Sequence, residues 1–105
     1  MKRLLALGLL VPGLLSAATN APAPRFEADI QAFMAADRAK PPTPGGILFV
    51  GSSIFRLWTN VVEAMAPLPV VNRAFGGSRT GDQLDRFDQV VKPWAPRILV
   101  YYCGS

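Results

Sequence analysis

Hydrophobic residues follow two different patterns along this chain, and the two patterns alternate. Short apolar runs, rich in β-branched and aromatic residues, lie within residues 47–50, 69–72 and 97–102. Stretches with apolar residues three or four positions apart lie within residues 26–40, 54–65 and 80–91. Short continuous runs are typical of strands buried on both faces, whereas the second pattern predicts amphipathic helices. The alternation therefore predicts an α/β fold with a parallel sheet and helices packed against it.

Two of the predicted helices have a well-defined apolar stripe. In the helix predicted for residues 54–65, the stripe consists of Ile54, Leu57, Trp58, Val61, Val62 and Met65. In the helix predicted for residues 80–91, it consists of Leu84, Phe87, Val90 and Val91. This last helix is expected to begin at Thr80, because Thr80 and Gln83 stand at the spacing of a capping box.

The first 18 residues have the composition of a secretory signal peptide. A basic start at Lys2 and Arg3 is followed by apolar residues 4–15 and then by small residues up to Ala18. The apolar run is too short for a membrane-spanning helix, which needs about 20 residues. We therefore expect a secreted or periplasmic protein without a stable membrane anchor. The expected divisions are a signal peptide at 1–18, a flexible Ala- and Pro-rich linker at 19–24 and the folded domain at 25–105.

Charge and cysteine content narrow the possible functions. The formal net charge is +4, but without the signal peptide nine basic residues face seven acidic ones, which leaves +2. Because the charges alternate along the chain without forming a patch, we expect no nucleic-acid partner. Cys103 is the only cysteine, so no internal disulfide is possible, and we interpret it as a small core residue of the third strand. The chain has no histidine, and we expect no bound metal.

Small or polar residues follow each predicted strand. They are Gly51, Ser52 and Ser53, then Gly76 and Gly77, then Gly104 and Ser105. The carboxyl ends of parallel strands lie at one edge of a sheet, where ligands bind in α/β folds. The sequence therefore favours a site at this edge. Each strand end taken alone also fits an ordinary turn, and the two serines also fit a helix cap.

Three common motifs do not fit this edge. Phe55 stands where the nucleophile elbow G-x-S-x-G needs its final glycine. Residues 76–81 do not have the spacing of the dinucleotide motif G-x-G-x-x-G, and no Gly-Lys-Ser/Thr phosphate loop is present. The sequence thus gives no indication of a dinucleotide-binding or P-loop protein.

Two and a half sequence blocks resemble the SGNH (GDSL-type) hydrolases, and most closely their platelet-activating-factor acetylhydrolase-like branch. Residues 49–58, Phe-Val-Gly-Ser-Ser-Ile-Phe-Arg-Leu-Trp, resemble the first block. Residues 72–78, Asn-Arg-Ala-Phe-Gly-Gly-Ser, resemble the second, and residues 101–105 resemble the start of the third. The resemblance covers roughly residues 26–105, which is nearly all of the chain after the predicted signal peptide. It implies a flavodoxin-like three-layer α/β/α sandwich and a serine esterase that uses no metal or organic cofactor.

The resemblance also implies roles for individual residues. Ser53 would be the nucleophile, and the backbone N–H groups of Ser53 and Gly77 would bind the oxyanion, while Ser52 would be structural. The family's third oxyanion donor, an Asn, and its catalytic Asp and His have no counterpart up to Ser105. We therefore expect an N-terminal fragment, truncated after the third strand, of an enzyme that hydrolyses a small acyl or acetyl ester, such as an acetylated sugar or a lipid ester.

A non-catalytic ligand- or carbohydrate-binding module on the same fold is the alternative. The gene sequence beyond Ser105 distinguishes the two: an immediate Asn-Asp and a later Asp-x-x-His favour the enzyme, and a stop codon favours the module. An exposed third strand also predicts that residues 1–105 alone fold poorly or associate.

Overall fold

Residues 25–104 are described by a computed structural model and form an α/β fold around a three-stranded parallel sheet. The elements are α1 (Glu27–Ala39), β1 (Ile47–Gly51), α2 (Ser53–Arg56), α3 (Val61–Ala64), β2 (Val70–Asn72), α4 (Thr80–Asp85), α5 (Phe87–Val90), a short 3-10 helix (Lys92–Trp94) and β3 (Ile98–Tyr102). The predicted signal peptide and linker, at residues 1–24, and Ser105 lie outside the described residues. No helix within the described residues is long and apolar enough to cross a membrane.

The strand order is β2-β1-β3, so the first strand lies at the centre of the sheet. Ile47 is in register with Val70 of β2 and with Ile98 of β3, and Gly51 is in register with Tyr102. A first strand between the second and the third is the order found in flavodoxin-like folds. In such a sheet β2 is added on one side of β1 and β3 on the other side. The crevice between the ends of β1 and β3 is therefore the switch point of the strand order, where ligands bind.

The two faces of β1 contact different helices. Leu48 and Val50 belong to a buried cluster whose other members are Ile30 of α1, Phe75, Val90 of α5 and Val91. Phe49 points the other way and packs with Val61 of α3 and Val70. The sheet is therefore covered on both faces. The β1-to-β2 and β2-to-β3 connections run in opposite directions and place their helices on opposite faces, as two crossovers of the same hand must.

Helix α1 is attached to the rest of the fold by two ion pairs. Near its start, Glu27 Oε1 accepts a hydrogen bond of 2.9 Å from Arg86 Nη2. Hydrogen bonds from Gln31 and then from Arg86 hold the pKa of Glu27 below its usual value. Near its end, Asp37 Oδ1 accepts a bond of 2.9 Å from Arg73 Nη2, and both of these side chains are largely buried.

The single helix predicted for residues 54–65 is wrong, because α2 ends at Arg56 and α3 begins at Val61. In a continuous helix the Phe55 carbonyl would accept the N–H of Thr59. Instead it accepts the Asn72 side-chain amide at 2.7 Å and the Trp58 N–H at 3.0 Å. A hydrogen bond from β2 thus diverts the chain after one turn. The predicted stripe is consequently broken, and Ile54, Leu57 and Val62 are 53%, 70% and 47% exposed.

The predicted helix at residues 80–91 is also divided, at Arg86, and only half of its predicted stripe is buried. Val90 and Val91 lie in the core, whereas Leu84 is 68% and Phe87 41% exposed. The inward position on α4 is taken by Gln83, the residue before Leu84. The side chain of Gln83 is buried because it forms hydrogen bonds at the end of β1.

The third strand is much more exposed than the first. Ile98, Leu99, Tyr101 and Tyr102 are each 43–48% exposed. Within residues 25–104 no strand pairs with the outer edge of β3. The outer edge of β3, including Tyr101 and Tyr102 at its carboxyl end, is therefore accessible from solvent.

Candidate active site

Strand β1 ends at Gly51, where only glycine fits. Gly51 has a φ of +142°, and a Cβ added there would lie 1.8 Å from the carbonyl oxygen of Tyr102. The next N–H group, that of Ser52, donates to the same carbonyl oxygen at 3.1 Å. The missing side chain lets the end of β3 lie directly against the end of β1. This contact defines the crevice at the switch point of the sheet.

The carbonyl oxygen of Gly51 holds the loop that follows β2. It accepts the N–H of Phe75 at 3.0 Å and the side-chain amide of Gln83 at 2.9 Å. Gln83 Nε2 also donates to Ser78 Oγ at 2.9 Å, and the Ser78 hydroxyl lies 2.8 Å from the Phe75 carbonyl. The residues of this network are buried. The network therefore fixes the position of Gly76 and Gly77 relative to the end of β1.

The end of β3 joins the same network through Cys103. Cys103 Sγ donates to the carbonyl oxygen of Ser78 at 3.1 Å. Cys103 lies one residue beyond β3 and is half-buried, so its interpretation as a core residue of the strand is wrong. The physical reason is that pairing with β1 stops at Tyr102, opposite Gly51. The ends of all three strands are thus held together, as the sequence predicted.

The two adjacent serines have different surroundings. Ser52 is 3% exposed and is the N-cap residue of α2, although its side chain makes no capping hydrogen bond. Ser53 is the first residue of α2 and is exposed. The structure therefore leaves Ser53, and not Ser52, accessible to a molecule at the carboxyl end of β1.

Gly77 lies exposed in the loop held by Gly51 and has a φ of +79°, a conformation that favours glycine. Within residues 25–104, the backbone N–H groups of Ser53 and Gly77 donate to no protein acceptor. Two N–H donors and one accessible hydroxyl therefore belong to segments that meet at this edge. Such donors can bind an oxygen that gains negative charge during a reaction.

Sequence reasoning missed the part played by Gln83. The expected capping box of Thr80 and Gln83 is wrong, because the N-cap residue is Arg79 and its N–H is accepted by Asp82 Oδ2 at 2.9 Å. One signal was present in the sequence. Gln83 is spaced seven residues before Val90, which puts a polar residue on the inward stripe of the predicted helix.

Asn72 and Arg73 hold the start of the loop after β2 in position. Asn72 accepts the N–H of Ala74 at 3.0 Å through its side-chain oxygen, while its amide holds Phe55. The guanidinium of Arg73 pairs with Asp37 and lies over the rings of Phe33 and Trp94.

One cavity in the described part of the chain lies apart from the proposed nucleophile. It has a volume of about 940 Å³ and runs along β2, and neither Ser53 nor Gly77 lines it. Arg56, Trp58 and Asn72 line the part of it near the end of β2. No group of three or more His, Cys, Asp or Glu side chains between residues 25 and 104 is placed to hold a metal ion.

Comparisons with protein-family models, with curated proteins and with solved structures give no match to this chain.

The Gln83 network is expected to be important for stability. Gln83→Ala should lower the free energy of unfolding by about 1–3 kcal/mol, because it removes two buried hydrogen bonds, to the Gly51 carbonyl and to the Ser78 hydroxyl. Gln31→Ala is a matched control, since Gln31 is exposed and bonds only to Glu27 on the surface. The control should change stability by less than about 0.5 kcal/mol. Urea unfolding curves that coincide for the two variants would show that the network contributes little.

Proposed function

We propose that this chain carries the nucleophile of an exported serine ester hydrolase of the SGNH (GDSL-type) family. The observation that supports it most is the position of Ser53. It is exposed at the switch point of the sheet, while Ser52 beside it is buried. Strand order 2-1-3 and helices on both faces are compatible with the three-layer α/β/α sandwich of that family.

The proposed reaction is acyl transfer in two steps. Ser53 Oγ attacks the carbonyl carbon of the ester, and the oxyanion that forms accepts hydrogen bonds from the N–H groups of Ser53 and Gly77. The C–O bond to the alcohol then breaks, and the alcohol leaves with the proton that a general base took from Ser53. Water next attacks the acyl-enzyme, which releases the carboxylic acid and restores the hydroxyl. Each oxyanion donor is worth about 10²–10³ in rate.

The general base that the resemblance implies is a histidine, and residues 1–105 contain none. By resemblance, a complete site would need a His with its Asp partner, and an Asn side chain as third oxyanion donor. The exposed end of β3 leaves this edge open to them. Residues 1–105 alone should accordingly fail to hydrolyse esters.

The proposed substrates are small acyl or acetyl esters, with acetylated sugars and lipid esters as examples. The alternative function is a ligand- or carbohydrate-binding module on the same fold. One observation favours the alternative: the cavity along β2, with Trp58 in its wall, is separate from Ser53.

Ester hydrolysis by protein made from the complete open reading frame distinguishes the two functions. The hydrolase should cleave 4-nitrophenyl acetate faster than solvent does, and one equivalent of a fluorophosphonate should inactivate it irreversibly. A folded protein that cleaves no acetate ester, resists the fluorophosphonate and binds acetylated sugars in calorimetry would be the binding module.

A further inference from the structure

Arg56 belongs to the same short helix as the proposed nucleophile. It lies three residues after Ser53, and residues at that spacing share one face of a helix. The preceding residue, Phe55, is fixed because Asn72 binds its carbonyl at 2.7 Å and its ring packs on Phe49 and Tyr102. The backbone from which the Arg56 side chain extends therefore has a defined position.

The Arg56 side chain lies across Gly76, the neighbour of the proposed oxyanion donor Gly77. A Cβ added at Gly76 would lie 3.2 Å from Arg56 Cδ and 3.6 Å from Arg56 Nη1. The absence of a side chain at Gly76 thus lets the guanidinium approach the loop. Its positive charge is placed next to the segment that would hold the oxyanion.

The charge of Arg56 has no partner among the described residues. The ion pairs there join Arg25 to Asp82, Arg73 to Asp37, Arg86 to Glu27 and Lys92 to Asp88. Arg56 is exposed, forms no side-chain hydrogen bond within residues 25–104, and lines the solvent-accessible cavity along β2. A guanidinium presents several N–H donors that suit an anionic oxygen pair.

We propose that Arg56 binds a carboxylate carried by the ester substrate, so that the enzyme prefers esters with a negatively charged group. This inference rests on the proposed function. One guanidinium matches the single charge and two oxygens of a carboxylate. The nearby Arg73 is unavailable, because it pairs with Asp37 and lies against Phe33 and Trp94. Arg56 then determines specificity by binding a part of the substrate away from the reacting carbon.

Two acetate esters of nearly equal shape test this inference in protein made from the complete open reading frame. They are 4-acetoxybenzoate, which carries a carboxylate, and its uncharged amide 4-acetoxybenzamide. The wild type should prefer the carboxylate. Arg56→Gln should lower kcat/KM for 4-acetoxybenzoate about tenfold, chiefly through KM, and change the amide by less than about twofold. Arg56→Lys should retain part of the preference, because lysine keeps the positive charge but lacks the paired N–H donors of the guanidinium.

Arg38→Gln is the control for lost net charge, since Arg38 is an exposed residue of α1, on the other face of the sheet. It should leave the preference unchanged. A ratio of the two kcat/KM values that is the same in wild type and Arg56→Gln would overturn the role of Arg56 and leave the proposed hydrolase intact. Failure of the wild type to cleave either ester would overturn the proposed function and this inference with it.

Discussion

Ser53→Ala should reduce ester hydrolysis by at least about 10⁴-fold, whereas Ser52→Ala should retain most of the activity. The reason is the difference in their positions. Ser53 is exposed at the carboxyl end of β1, while Ser52 is buried and its carbonyl accepts the N–H of Arg56 at 3.0 Å. Alanine at residue 53 leaves no oxygen to attack the ester. Initial rates with 4-nitrophenyl acetate, at equal concentrations of folded protein, give the comparison.

Circular dichroism of both variants supplies the control for folding. Ser52→Ala is expected to change the stability of the protein more than Ser53→Ala does, because Ser52 is buried. If folded Ser52→Ala loses as much activity as Ser53→Ala, the assignment of the nucleophile by exposure is wrong. If Ser53→Ala keeps more than about a tenth of the wild-type rate, Ser53 is not the nucleophile.

Gly51→Ala should be the most destabilising single substitution at the site, with a loss of about 3 kcal/mol or more. Two effects add. An L-residue is strained at a φ of +142°, and the new Cβ would lie 1.8 Å from the Tyr102 carbonyl oxygen. Relief would require β3 to move away from β1, which would also break the Ser52-to-Tyr102 hydrogen bond. Urea unfolding followed by circular dichroism measures the loss.

Alanine substitutions at two other glycines show how much of this loss comes from backbone strain and how much from steric overlap. Gly45 has a φ of +90° but no atom within 4 Å of an added Cβ, so Gly45→Ala should cost only about 1–2 kcal/mol. Gly81 lies in α4 with open space around it, and Gly81→Ala should be neutral or stabilising by about 0.5–1 kcal/mol. A loss for Gly51→Ala no larger than that for Gly45→Ala would show that β1 and β3 are not in close contact.

The strands and their alternation with helices could be predicted because their signals are local. The apolar run from Ile47 to Val50 has no polar gap, so both of its faces must be covered, and it became the central strand. The apolar spacing within residues 26–40 predicted α1, Glu27–Ala39, nearly to its bounds. The meeting of three strand ends at one edge followed from the parallel arrangement.

The errors arose where contacts distant in sequence override the local pattern. The helix at residues 54–65 was broken by a hydrogen bond from Asn72, which lies 17 residues after Phe55. Gln83 does not cap the helix as expected. Its side chain instead donates a hydrogen bond to the carbonyl of Gly51, 32 residues earlier. Hydrogen bonds between residues so far apart in sequence leave no sign in the periodic pattern of apolar residues. The position of Arg56 over Gly76 likewise depends on how α2 and the loop after β2 pack together.

The measurement that tests the central claim most directly is the position of a fluorophosphonate adduct, mapped by mass spectrometry in protein made from the complete open reading frame. Fragment-ion sequencing distinguishes Ser52 from Ser53. The proposed hydrolase predicts one adduct per chain, on Ser53, absent from Ser53→Ala and from residues 1–105 alone, which have no histidine to activate the hydroxyl. An adduct on Ser52, or labelling that persists in folded Ser53→Ala, would contradict it.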